Sequence, residues 1–395
     1  MREGIDKRAM AVLAAGHFGT DFANGAVPAL VPFLVDRFDL SYTLAGTLIL
    51  ASALSSSVVQ PVFGLWSDRR GGIWLLAGGV ALAGIGIALA ADAPSYPLVL
   101  ALVFVAGLGV AAYHPEGSKF AAYVSGRRRA SGMSAFSIGG NLGFALGPTV
   151  ATPLIVWFGL AGGLLLALPC LAIAAGLALL TPYLRTFVPA ADVRHAASGG
   201  RDDHRALGLL LGVITFRSLA WFGLIAFVPL WEVSLGHSKA HGNHLLSLML
   251  LAGGLGTIVA GPAADRFGRR PVLLLSTAAT GPLILVFVAV GGAVGAFALA
   301  AVGICVIGTF GVTMVMSQEY LPRHIGMASG LSIGLSIGIG GVAAVGLGAI
   351  ADAIDLRSAL YVCAAAPAAG LVLAALLPSS RRRALEPEPQ PAVPY

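Results

Sequence analysis

GPAADRFGRR, residues 261–270, joins two apolar runs, each of the roughly 20 residues a membrane span needs. GLWSDRRGG, residues 64–72, does the same near the start of the chain. Asp68 and Asp265 lie 197 positions apart. Pro32 in VPFL and Pro229 in VPLW keep that offset, and SIGGNLG (137–143) and SIGLSIG (332–338) differ by 195. Three echoes at nearly one offset imply a duplicated unit. In a membrane chain such halves place a binding site between them, near the midplane.

The composition agrees with a membrane chain. Of 395 residues, 57% are hydrophobic and 11% charged, where soluble domains carry about a quarter charged. Twelve runs are long enough to span: 10–36, 42–66, 73–91, 97–124, 130–158, 160–181, 206–232, 243–262, 271–291, 294–320, 325–352 and 358–378. The expected fold is all-α and integral to the membrane, two pseudo-symmetric bundles of six transmembrane helices. The divisions are 1–181, a cytoplasmic linker 182–205, 206–378, and a Pro-rich disordered tail 379–395. Residues 1–8 are polar and the first run is long, which reads as a first span and not a cleaved leader.

Lys and Arg set the orientation. With the N-terminus in the cytoplasm, 19 of the 24 fall in cytoplasmic segments, among them Arg127–Arg129 and Arg381–Arg383. Arg37, Lys239 and Arg357 fall outside; Lys119 and Arg217 fall within spans. Both termini are therefore expected in the cytoplasm. The net charge of +6 is scattered between apolar runs, not gathered on a polar face, which argues against nucleic acid. Cys170, Cys305 and Cys363 stand singly in apolar runs and read as small buried hydrophobes.

Twelve spans in two sixes, with G-x-x-x-D-R-x-G loops after spans 2 and 8, resemble the major facilitator superfamily. The first loop copy departs at Gly72, where a base is usual. Within that superfamily HFGTDFANGAVPALVPFL (17–34), AAYHPEGSKFA (111–121) and SQEYLPRHIGMASGL (317–331) resemble the fosmidomycin resistance group of bacterial exporters. The resemblance implies a bacterial inner-membrane transporter. It also implies that the loop aspartates latch the cytoplasmic side, giving gating roles to Asp68, Arg69, Asp265 and Arg266, with Arg127 and Arg128 as partners. GFALGP (143–148) partly matches the Gly-Pro motif of proton antiporters, with Ala151 and Thr152 where paired glycines usually follow.

Charges inside spans are expensive, at least ~2.5 kcal/mol each at a helix centre, and mark function or a necessary partner. His17, Asp21 and Asn24 share one face of span 1, spaced i, i+4, i+7. They line a cavity or clamp two helices. In span 4, Glu116 and Lys119 lie one turn apart beside Pro115, with His114 just before. They are either a self-contained ion pair or part of a site near the midplane. Arg217 in span 7, with Trp221 one turn on, suits a carboxylate, phosphate or phosphonate, and the repeat sets it opposite Asp21 as a partner in one state. Gln318 and Glu319 close span 10 near His324, as a gate or a proton site. Glycines every four residues, Gly139–Gly143–Gly147 and Gly330–Gly334–Gly338, predict close helix approach. His237, His241 and His244 would share one face if helical, but their loop offers no carboxylate or cysteine, although Glu232 is just upstream, and no metal site is expected.

The resemblance implies that an intramembrane carboxylate, Asp21 or Glu116, carries a coupling proton. The expected function is proton-coupled export of small anionic or amphipathic compounds by alternating access. Substrate contacts would come from His17, Asn24, His114, Lys119, Arg217, Trp221 and Gln318. Uptake by proton symport uses the same charges; a non-transporting sensor would need a signalling domain that the sequence does not display. No enzyme motif or GxxxxGK[ST] loop is present. The partners are a small-molecule substrate, protons and the lipid bilayer, with no cofactor, and the chain is expected to act as a monomer.

Overall fold

The computed structural model describes residues 4–70, 72–126, 129–187, 202–322 and 325–378. Among them the secondary structure is helical: α1 (Lys7–Phe38), α2 (Tyr42–Ala53), α3 (Gln60–Arg70), α4 (Trp74–Ala91), α5 (Tyr96–Val124), α6 (Arg129–Phe158), α7 (Ala167–Arg185), α8 (His204–Ser234), α9 (Lys239–Phe267), α10 (Arg269–Val290), α11 (Gly292–Gly308), α12 (Phe310–Tyr320), α13 (Ile325–Ala353) and α14 (Leu356–Ala375). Twelve spans emerge, each long and apolar enough to cross a bilayer.

Three spans are not the single α-helices expected; the sixth opens as a 3-10 stretch, Leu160–Leu166, before α7. A π-helical turn, Leu54–Val58, joins α2 to α3, and span 10 breaks at Thr309 between α11 and α12. The sixth span also runs to Arg185, four residues into the expected linker. Pro182 removes only one backbone donor near a helix end, which the helix tolerates.

The chain alternates between a near end, holding the start of α1 and the end of α14, and a far end. The starts of α1 and α2 follow from sequence: Asp6 accepts from Ala9 N at 2.9 Å and Ser41 Oγ accepts from Leu44 N at 3.3 Å, each satisfying an orphan amide. Helix α1 packs along α6, where the glycine spacing works as expected. A Cβ on Gly139 would strike the Ala14 carbonyl, one on Gly143 the Phe18 carbonyl, and one on Gly147 the backbone of Gly25 and Ala26. The α13 counterpart is a correction. Gly334 has open space where a Cβ would go and Gly338 meets only Val58, at 3.8 Å. The close approach of α13 occurs farther along. Gly348 packs on the Tyr42 backbone, and across the same contact Gly46 of α2 packs on that of Ala344. Periodicity marked the right helix but the wrong turns, because the halves converge only toward the far end.

Among the described residues, the polar bonds that join the halves gather at that far end. The Asp352 carboxylate accepts from Tyr42 N (2.7 Å), Thr43 N (2.9 Å) and Thr43 Oγ1 (2.5 Å), so a residue of α13 caps α2 across the seam. Lys239 of α9 pairs with Asp36 of α1. Asn243 Nδ2 donates to Thr152 Oγ1 (2.9 Å) and to Ala29 O (3.1 Å).

Candidate functional site

The titratable residues predicted for spans 1 and 4 converge, in a different grouping from the one expected. Docking of α5 on α1 brings His114 to Asp21. His17 Nε2 lies 3.3 Å from Asp21 Oδ2, and His114 Nε2 lies 3.3 Å from Oδ1. The other nitrogen of each ring is committed. His17 Nδ1 meets Phe136 O at 2.9 Å, and His114 Nδ1 meets Val110 O at 2.8 Å. A carbonyl only accepts, so each Nδ1 carries a hydrogen. A neutral ring then presents a lone pair at Nε2 to a carboxylate that also has only lone pairs. Each contact is attractive only with a proton in it.

The cluster is rigidly walled. The His17 ring stacks on Phe136, centroids 4.2 Å apart, and meets His114 edge-on at 4.9 Å. A Cβ on Gly140 of α6 would strike His17 Nε2 and Cε1 and lie 2.7 Å from Asp21 Oδ2, so the glycine makes room for the imidazole–carboxylate contact. Gly140 was not predicted; its signal was the second glycine of SIGGNLG. Asn24 faces elsewhere, accepting from Ser52 Oγ of α2 at 2.7 Å. That is a helix clamp, one of the two readings its position allowed.

Glu116 and Lys119 form a pair at 2.6 Å, with Glu116 only 2% exposed. Ser67 of α3 donates to Glu116 and receives from Lys119 Nζ at 2.5 Å. Ser67 lies three residues before the end of α3 and Glu116 eight before the end of α5, about 12 Å at ~1.5 Å per residue, so the pair sits on the near-end side of the Asp21–His114 contact. It ties α5 to α3 beside the loop motif.

Arg217 does not pair with Asp21 in this conformation. It is 7% exposed. Its guanidinium donates to Thr309 Oγ1 and Thr313 Oγ1, both at 3.3 Å. Both hydroxyls spend their own hydrogens on backbone carbonyls, Cys305 O and Phe310 O, which leaves lone pairs for Arg217. The break at Thr309 also sets the negative end of α11 beside the guanidinium. Among the described residues no carboxylate lies within ion-pair distance of it. Trp221, 6% exposed, belongs to the apolar core. Arg217 and Asp21 lie at matching depth, 13 and 14 residues into the first helices of their halves, about 20 Å from the near end at ~1.5 Å per residue.

The remaining residues lie at the near end. Glu319 bridges to Arg269, at the start of α10, and is 43% exposed, apart from the buried charges. Gln318 precedes it on α12. Asp265 and Arg266 are exposed, and Arg266 lies over the Phe267 ring at 5.3 Å. The side chains of Asp68 and Arg69, and residues Arg127, Arg128 and His324, lie outside the described residues.

Two groups bring three metal-capable atoms within 4.8 Å of one another: His17–Asp21–His114, and Glu232–His237–His241 at the far end. The second corrects the expected spacing. His237 precedes the start of α9, and Glu232 takes the place of His244.

A family model described as Major Facilitator Superfamily matches residues 13–238 and 209–394. An uncharacterized MFS-type transporter of Bacillus subtilis, YfnC, is 31% identical over 94% of this chain and 93% of its own. The fosmidomycin resistance protein of Escherichia coli is 29% identical over 95% and 93%. Among solved structures, a bacterial homolog of the human lysosomal transporter Spinster, inward-facing and unoccupied, superposes with a TM-score of 0.73 at 14% identity, covering 95% of this chain and 98% of that one.

Proposed function

Because this chain belongs to the major facilitator superfamily, a family of transporters and not of enzymes, we propose that it is a proton-coupled antiporter exporting small organic anions. The observation that carries the reading is Asp21 held between His17 and His114 with both Nδ1 atoms already donating. A set so arranged is drawn together by each proton shared between an imidazole and the carboxylate, and repelled at a contact without one. Glu116 is already satisfied by Lys119 and Ser67, so Asp21 is the better proton carrier of the two carboxylates first considered.

Arg217 supports an anionic substrate. A buried guanidinium held only by hydroxyls keeps its capacity for a bidentate acid group. A substrate with its acid on Arg217 and an O–H or N–H on Asp21 competes with the shared proton, since that donor needs the carboxylate oxygens for itself. Competition of this kind is antiport. With the termini cytoplasmic, as the Lys and Arg distribution favours, the far end is the outer face, and among the described residues it is the end where the polar bonds between the halves gather. The E. coli relative is named for resistance, which outward transport of a toxic compound confers.

The test is transport in proteoliposomes under an imposed pH gradient, with labelled organic anions including phosphonates. Substrate should move against the proton flow. Asp21→Asn should abolish the gradient's effect yet retain exchange of substrate for substrate. Movement with the proton flow overturns antiport and establishes symport, which a purely anionic substrate drawn by the protonated cluster would produce.

A further inference from the structure

We infer that Glu232, His237 and His241 form a binding site for a divalent transition metal at the far end of the C-terminal half. The donor atoms already converge. Glu232 Oε2 lies 2.6 Å from His237 Nδ1 and 3.4 Å from His241 Nε2, and the two rings are 4.8 Å apart between centroids. A zinc ion with bonds of ~2.0–2.1 Å needs tetrahedral donors roughly 3.3 Å apart. The Glu232–His237 contact must open by under an ångström, and the Glu232–His241 separation already fits.

The backbone holds this arrangement in place from both sides. Helix α8 ends in a Schellman turn: Gly236, at φ +86, donates to Val233 O at 3.0 Å, and His237 N donates to Glu232 O at 3.0 Å. That bond returns His237 to the residue whose carboxylate it faces. Ser238 then caps α9, its hydroxyl accepting from His241 N at 3.1 Å, which fixes His241 in the first turn. Two successive caps thus set three ligands drawn from two helices and their junction.

The chemistry suits a metal of borderline softness, with two imidazoles and one carboxylate. Glu232 is 5% exposed on its side chain while both histidines are 50% exposed. The base of the site is therefore buried and its mouth open, which leaves a fourth position for water. The nearby cation Lys239 is engaged by Asp36, and Arg357 lies over the Trp231 ring. A bound ion would fasten the α8–α9 corner from which Lys239 and Asn243 reach the other half.

The experiment is calorimetric titration of Zn2+ into the full chain, purified in detergent through a tag without histidine and stripped with chelator. One zinc per chain should bind and raise the melting temperature. His237→Ala and His241→Ala should each weaken binding at least tenfold, and His244→Ala, one turn beyond the cluster, should leave it unchanged. Glu232→Gln should do the same as the histidine variants while melting like the parent without zinc. Binding that survives both histidine substitutions, or that is lost with His244→Ala, overturns the site; so does the absence of zinc binding in the parent.

Discussion

Asp21 separates two imidazoles that have no other use for their Nε2 atoms, and the space it occupies exists because residue 140 lacks a side chain. Gly140→Ala places a methyl group against the His17 ring and 2.7 Å from Asp21 Oδ2, well inside contact distance, so the His17–Asp21 contact must give way. Gradient-driven transport should fall at least tenfold while the protein still elutes as a folded species; unchanged transport would separate Gly140 from the proton set. Arg217→Lys keeps the charge but loses the planar fork. Its KM for an acidic substrate should rise roughly tenfold, about 1.4 kcal/mol, with a smaller change in kcat. His17 and Asp21 were legible in the sequence because an i, i+4 spacing fixes a shared helix face. His114 as their third member was not, since that contact is made by tertiary docking of α5 on α1. The isolation of Arg217 from carboxylates was illegible too. Symmetry predicts what lies opposite, not which rotamer a side chain takes.

At the scale of elements, α1 and α6 approach so closely that backbone meets backbone. Gly143→Leu should force the pair apart and destabilise the fold by about 1–3 kcal/mol or more, read as a lower denaturation midpoint in detergent. Gly334→Leu, facing open space on α13, should change that midpoint little. The contrast tests why a four-residue glycine period predicted contact correctly in one helix and incorrectly in its echo: the motif was duplicated, but the two copies face different neighbours in this conformation. The twelve spans themselves were readable because bilayer thickness sets a length that composition reveals. The break at Thr309 was not, since no proline stands near it; the one at residues 54–58 had a signal in Pro61, whose ring crowds the carbonyl of Ser57 four residues back.

For the whole molecule, the state in view is set by which end of the bundle is fastened. Asp36→Cys with Lys239→Cys should crosslink readily with a short bifunctional methanethiosulfonate reagent in the resting protein, because those side chains pair across the seam over the reach of a lysine. Crosslinking should inhibit transport, and a reductant should restore it; a crosslinked protein that transports freely would show that this end need not open. Removing the cross-seam cap with Asp352→Ala costs about 0.5–2 kcal/mol of seam stability. It should slow that crosslink as the far end spends more time apart. Meanwhile Asp265, assigned to latching by resemblance, makes no hydrogen bond or ion pair among the described residues, and the side chain of its counterpart Asp68 lies outside them.

The cap that α13 lends to α2 differs in kind from a hydrophobic seal. Asp352 is exposed, and the amides it holds belong to the first turn of α2, which Ser41 caps independently at Leu44. When the halves part, water can take over Tyr42 N, Thr43 N and the carboxylate, and no donor is stranded. The seam therefore behaves as a solvent-exchangeable clasp. It selects a resting state by a modest free energy, but adds little to the barrier between states, because each bond broken is replaced as it opens. Turnover would then be limited by the charged groups deeper in the bundle, Asp21 and Arg217, whose contacts are to fixed side chains.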